Sequence, residues 1–282
     1  MDHAVRASTA DIQRSTLELA KALIACRSIT PDDGGGMDLI ASRLATSGFD
    51  YERMDRAKPP NRVRNLWARH GGEQPLVCLA GHIDVVPPED LDRWTNDPFE
   101  PTERDGRLYG RGAADMKTSV AAMVTAAERF VAASPDHRGS LALLLTSDAE
   151  GPAREGTFAV VQQLQWRGER IDACILGEPT STSVLGDTIV EWALEGAPYL
   201  SPRGGLVDVL SAAVASVTGV APTLSTSGGT SDGRFLSALS REIVEFGPVG
   251  ASAHAVNEHV LLADIGPLSE IYEQALRSLL GT

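Results

Sequence analysis

Residues 75–87 read PLVCLAGHIDVVP, and the reading of this stretch decides the architecture of the chain. Residues 76–80 form a short continuous apolar run, the pattern of a strand buried on both faces. Gly81 lets the backbone pass close to a neighbour, and His82 and Asp84 then stand two residues apart. On an extended chain, side chains two residues apart point the same way. A histidine and a carboxylate at the mouth of a buried strand suit metal binding, with the carboxylate orienting the imidazole from behind. A polar strand end turned to solvent would look the same at this length, so the segments downstream carry the decision.

The chain has 282 residues, enough for one large α/β domain or two smaller ones. With 43% hydrophobic and 22% charged residues it reads as a soluble globular protein. A formal charge of -13 argues against nucleic acid or an anionic membrane as a partner. Cys26, Cys78 and Cys174 lie in separate, mostly apolar contexts, which fits a reducing cytoplasm better than a disulfide framework. Residues 1–30 carry charges throughout, so neither a signal peptide nor a membrane span is expected there.

Spacing predicts helices over 9–25, with Ser8 or Thr9 as cap, and over 37–47, stopping at Gly48. Strands are predicted at 63–68 and 76–83, separated by a Gly71-Gly72 turn. Residues 87–114 hold too many prolines, glycines and charges for core elements, and a loop that long suggests function. Helix 116–131, strand 140–146, helix 155–166 and strand 171–176 follow, then helix 206–217, strand 243–246 and a last helix over about 258–280. This alternation predicts an α/β protein of three layers, a mostly parallel or mixed central sheet with helices on both faces.

Strand ends in such a sheet converge on one edge, where ligands bind. After the strands and loops come His82 and Asp84, Asp115 in GRGAADMK, Glu150 in TSDAEG, Glu178 in LGEPT and His254 in GASAH. Each alone has a plain explanation: a helix cap, a solvated carboxylate, a loop histidine. Together, two histidines and three carboxylates suffice for a pair of zinc-like ions, one His and one Glu each with an Asp bridging. Two such ions about 3.5–4 Å apart activate a shared water and polarise a carbonyl, so hydrolysis of an amide or ester is implied.

The stretches GHIDVVP, WTNDPFEPTERDGRLYGRGAADMK, TSDAEGPAREGT, ILGEPTST, VLGDTI, TGVAPTLSTSGGTSDGRF and VEFGPVGASAHAVNE resemble the zinc-dependent M20 peptidase family. GGTSDGRF with VLGDTI favours its succinyl-diaminopimelate desuccinylase branch over acetylornithine deacetylases or carboxypeptidases. The resemblance implies two zinc ions, cobalt being possible at one site. His82 and Glu178 would hold one ion, Glu150 and His254 the other, and Asp115 would bridge. Asp84 would orient His82, at a position the family counts as catalytic. Gly228, Gly229, Thr230, Ser231 and Arg234 would line the substrate pocket, and Arg203 would meet a substrate carboxylate. A surface ion pair is the plain alternative for Arg203 and Arg234. A cis peptide bond would follow Asp115, a rare feature outside proline. The implied substrate is a small acylated diamino acid, N-succinyl-L,L-2,6-diaminopimelate, cleaved to succinate and diaminopimelate for lysine and cell-wall precursor synthesis.

Two departures stand out. The family has Thr-Ser-Asp-Glu-Glu-Gly where this chain has Thr146-Ser147-Asp148-Ala149-Glu150-Gly151. Ala149 thus replaces the glutamate that serves as general base, a loss that typically costs roughly 10²–10⁴-fold in rate. The family also inserts a lid and dimerisation domain after the segment matching VLGDTI. Here residue 189 runs almost directly into the returning chain, so one catalytic domain built from about 1–189 and 190–282 is expected, and a monomer instead of the family's homodimer. The lid's histidine is missing too, and His3, His70, His137 and His259, in polar and exposed segments, do not replace it. The expectation is a metal-binding chain that hydrolyses the amide poorly or not at all. The rivals are a deacylase for a related substrate such as N-acetylornithine, and a non-catalytic metal-binding protein on the same fold.

Overall fold

A computed structural model describes residues 7–56, 62–191, 205–225 and 231–281. Helix α1 (Thr9–Ala25) opens on Ser8, whose Oγ accepts the Asp11 N–H at 3.2 Å. Its buried stripe of Ile12, Leu19, Leu23 and Ile24 follows the helical repeat. After α2 (Gly36–Thr46) come strands β1 (Asp50–Arg53), β2 (Asn65–His70) and β3 (Leu76–His82). The long segment after β3 is less irregular than its composition suggested. It contains the hairpin β4 (Thr102–Arg104) and β5 (Arg107–Tyr109). Asp105-Gly106 closes that hairpin with φ of 50° and 72°, the left-handed pair that a tight two-residue turn requires.

A wide turn at Ala113–Lys117 leads into α3 (Thr118–Ala133), followed by β6 (Ser140–Thr146), α4 (Thr157–Trp166), β7 (Ile171–Leu176) and β8 (Thr188–Glu191). The remainder is α5 (Gly205–Thr218), β9 (Thr223–Ser225), α6 (Gly233–Leu236), β10 (Ser240–Glu245), β11 (His259–Leu261) and α7 (Leu262–Leu280). The last helix starts later than expected because His259–Leu261 is drawn into a strand antiparallel to β5.

The main sheet has eight strands in the order β1-β2-β6-β3-β7-β10-β8-β9. Its middle four, β6, β3, β7 and β10, run parallel; β1 pairs antiparallel with β2, β2 with β6 and β8 with β10, while β9 runs parallel to β8. This is the mixed, helix-covered sheet that the alternation of apolar runs predicted. Strand alternation divides the core into two. Val77 and Leu79 of β3 join the cluster under α1, α2, α3, α5 and α7, whereas Leu76, Cys78 and Ala80 join the one under α4 and α6. Alanines 121, 122, 126 and 127 are fully buried on α3, so their small side chains let α1 and α7 pack close. A chain of hydroxyls ties those three helices, Thr16 Oγ1 to Thr125 Oγ1 and Thr125 Oγ1 to Ser269 Oγ, each at 2.9 Å.

The register aligns the carboxyl ends of the parallel strands. His82 lies opposite Thr146, Ala80 opposite Leu176, and Leu176 opposite Glu245. The loops leaving β3, β6, β7 and β10 therefore emerge along one edge. The expected exposure of three histidines needs correction, and His3 lies outside the described residues. His70 and His137 are half-buried partners, with Nδ1 to Nε2 at 2.8 Å, and His259 is also half-buried. Cys78 and Cys174, in separate sequence contexts, face each other across β3 and β7 as buried free thiols.

Candidate metal centre

Gly81 and Gly177, at the ends of β3 and β7, face Met116. A Cβ on Gly81 would sit 2.4 Å from Met116 Cε, and one on Gly177 2.7 Å from the same atom. The methionine packs over both strand ends, and only glycine leaves it room. Its neighbour Asp115 is thereby held beside the strand mouths, in a turn whose φ of -126° and ψ of 96° are not helical. The Asp115–Met116 peptide is cis, as the resemblance implied.

His82 is buried, and its Nδ1 lies 2.9 Å from the Asp84 carbonyl oxygen and 3.6 Å from the Asp84 carboxylate. The backbone of Asp84, more closely than its side chain, orients the ring. Its carboxylate instead accepts the N–H groups of Ala149 at 3.2 Å and Glu150 at 3.0 Å. Burial pushes the Asp84 carboxyl up to about 6, against the pull of His82.

His82 Nε2 points to Asp115 Oδ1 at 3.2 Å and Glu178 Oε1 at 3.9 Å. On the other side, His254 Nε2 lies 2.7 Å from Glu150 Oε1 and 3.1 Å from Asp115 Oδ2. Two groups of three ligand atoms thus share Asp115, one carboxylate oxygen to each group. Donors on one tetrahedral zinc, at bond lengths of about 2.0–2.1 Å, stand roughly 3.3 Å apart. The observed separations bracket that value, and ligand atoms of His82, Asp115 and Glu150 all lie within 4.8 Å of one another, so the residues present fit a divalent metal ion.

The electrostatics point the same way. Burial alone would lower the His82 pKa, but the hydrogen bond to Asp115 and the charges of Glu178, Asp115 and Asp84 raise it well above the usual histidine value. Hydrogen bonds to Asp115 and Glu150 bring His254 up to about 10. Burial would raise Asp115, yet the two imidazoles hold it below the ordinary carboxylate range. Burial and the Asp115 charge push Glu178 well up. The upward shifts of His82, His254 and Glu178 draw protons into a cluster rich in carboxylates, the service a bound cation performs when it displaces those protons, while Asp115 stays ionised between the two imidazoles.

Ala149 is half-buried at the head of this edge. The neighbouring Asp148 is tied to its own loop, its Oδ2 accepting the Arg154 and Glu155 N–H groups, both at 2.9 Å. Ser231 bonds to Glu245, and exposed Arg234 lies over the Phe235 ring at 4.5 Å. Arg203, Gly228, Gly229 and Thr230 lie outside the described residues. Residue-by-residue reading missed Arg111 and Glu258, a buried pair joined at 2.7 Å. Only their presence inside the matching stretches hinted at them.

The family model for Peptidase family M20/M25/M40 matches residues 78–278. Succinyl-diaminopimelate desuccinylase of Thiobacillus denitrificans is 42% identical over 376 positions, covering 94% of this chain and 95% of the relative. That of Nitrosomonas eutropha is also 42% identical, with 94% and 98% covered. The alignments run over 376 positions against a chain of 282 residues, so the relatives carry sequence without a counterpart here. Among solved structures, human carnosine dipeptidase 1 superposes with a TM-score of 0.79 at 14% identity, covering 96% of this chain and 98% of that one. An M20 metallo-carboxypeptidase from Sulfolobus solfataricus gives 0.72 at 13%, covering 93% and 98%. At such identities the structures show the fold alone. With the family model matched over most of the chain and relatives 42% identical aligned over 94% of it, this chain belongs to the hydrolases of peptidase family M20/M25/M40.

Proposed function

We propose that this chain is the catalytic domain of a two-metal amide hydrolase for N-succinyl-L,L-2,6-diaminopimelate, disarmed at position 149. The observation that carries the reading is the shared carboxylate of Asp115, set between His82 with Glu178 and His254 with Glu150. The 42% identity to desuccinylases supports the substrate. His82, Asp115 and Glu178 would hold one zinc, and Glu150, His254 and Asp115 the other, with cobalt acceptable at one of them. When bound, such cations supply Lewis acidity to the amide carbonyl and to the attacking water.

The chain's own residues do the rest of the work, or fail to. Asp84 fixes the loop that carries residue 149 through its two backbone hydrogen bonds. A proton leaving the water needs an acceptor there, and the methyl of Ala149 offers none. Asp148 is committed to its own loop. Turnover is therefore expected roughly 10²–10⁴-fold below that of a chain with glutamate at 149. The segment missing between about 189 and 190 corresponds in this reading to the lid and dimerisation domain, which makes the chain a monomer. Among the described residues no helix is long and apolar enough to cross a membrane, and we place the chain in the cytoplasm.

The test is succinate release by zinc-loaded protein, with and without Ala149→Glu. A gain of about 10²-fold or more on repair supports the proposal, with the succinylated substrate preferred over N-acetylornithine. Ala149 also favours a second reading, a non-catalytic metal-binding protein, which predicts no gain at all.

A further inference from the structure

Arg111 is the largest of the fully buried side chains among the described residues, and it is paired with an equally buried Glu258. Their hydrogen bonds to the segments carrying Asp115 and His254 go to backbone atoms. A buried ion pair is weak support for stability, since well-packed apolar residues would serve as well or better. What this pair does is visible in its remaining bonds. Glu258 Oε1 accepts the N–H groups of Ala114 at 2.8 Å and Asp115 at 3.0 Å, and its Oε2 accepts that of Gly112 at 3.0 Å. Arg111 donates through Nη2 to the His254 carbonyl and through Nη1 to the Ala255 carbonyl, both at 3.3 Å. Its second Nη2 contact, to Pro87 at 3.4 Å, reaches the loop that leaves His82 and Asp84.

One salt bridge therefore fastens the backbone on either side of the bridging carboxylate. Glu258 grips the turn of Asp115, and Arg111 grips His254 itself. His254 needs that grip, because its φ of 61° is a conformation that residues other than glycine seldom adopt. His254 is also 49% exposed at its side chain, so packing does little to hold the imidazole in place. His82, by contrast, is locked by burial within β3.

We propose that Arg111 and Glu258 are positioning residues that set His254 against Asp115 and so govern the affinity of the cation held by Asp115, Glu150 and His254, leaving the His82 side little affected. The inference rests on the two-metal reading above and deepens it. Residues that orient ligands from behind typically change metal affinity by about 10–100-fold when replaced.

Cobalt(II) titration of the metal-free chain, followed by calorimetry and by visible absorption, tests this. The unaltered chain should take two cobalt ions. Glu258→Gln and Arg111→Lys should keep one with unchanged affinity and bind the other roughly 10–100-fold more weakly, with an altered visible spectrum. Arg111→Lys keeps the charge but cannot fork across two carbonyls, and it decides the case if Glu258→Gln does not fold. Thr125→Ala, in the distant hydroxyl chain, should lower the melting temperature while leaving both affinities intact. Two cobalt ions bound with normal affinities and spectrum in both variants would overturn the inference alone, as would equal weakening of both ions. An unaltered chain that binds no cobalt would overturn the two-metal reading, and this inference with it.

Discussion

The carboxylate of Asp84 holds the backbone N–H of Glu150 at 3.0 Å, so the acid at the mouth of β3 sets the loop that presents position 149. Repair of the missing base should therefore depend on Asp84. Ala149→Glu is expected to raise succinate release, and Asp84→Asn in the same chain should remove most of that gain, because an amide offers one acceptor oxygen to two donors. Rates of the four combinations measure the coupling directly, and additive effects would argue against it.

The shared position of Asp115 predicts an uneven pattern of metal loss. His254→Ala should leave about one cation per chain, and His82→Ala should likewise leave about one. Asp115→Ala should abolish both. Elemental analysis after gel filtration gives the ratios, and Asp115→Ala retaining two cations would contradict the bridging arrangement.

Met116 lies across Gly81, whose Cβ position is 2.4 Å from the methionine Cε. Gly81→Ala should destabilise the fold by about 1–3 kcal/mol, the usual cost of overfilling a packed site. Because the obstructing atom is the end of a flexible side chain, Met116→Ala in the same chain should recover part of that loss. Chemical denaturation of single and double variants would show this as a coupling between the two positions.

Asp187 offers a pH-dependent test away from the cluster. Burial works against its charge, but the N–H groups of Thr182, Ser183 and Val184 and the Thr182 hydroxyl bring its pKa from 3.8 to about 2. A depressed carboxyl stabilises the folded state above its unfolded value and loses that contribution as pH falls through the folded one. The stability difference between the unaltered chain and Asp187→Asn should therefore be full above about pH 4 and fade toward pH 2. Solvent screening keeps it on the order of 1 kcal/mol. Thermal melts of both proteins across that range give the difference, and one that is constant with pH would refute the assignment.

Much of the site was legible because it is written at strand ends. An apolar run shows where a buried strand stops, and in a parallel sheet the residues that follow share one edge. His82, Asp84, Glu150 and Glu178 were found in that way. The hairpin around Asp105-Gly106 went unread: its turn dipeptide is present, but the polar composition of 87–114 masked the two short strands. Ala149 needed no structure to be noticed, since a methyl group cannot take a proton in any fold.

Local pattern settled which segments would be strands and helices, and which chemical groups would be available at their ends. Packing across long separations in the chain decided what stood next to what: Cys78 opposite Cys174, His70 against His137, and Glu258 beneath Asp115. Periodicity reports only whether a side chain turns inward. Which distant partner it meets depends on strand order and on the loops that cross the sheet edge. The Arg111–Glu258 pair spans 147 residues and exists only because those crossings bring two loops together.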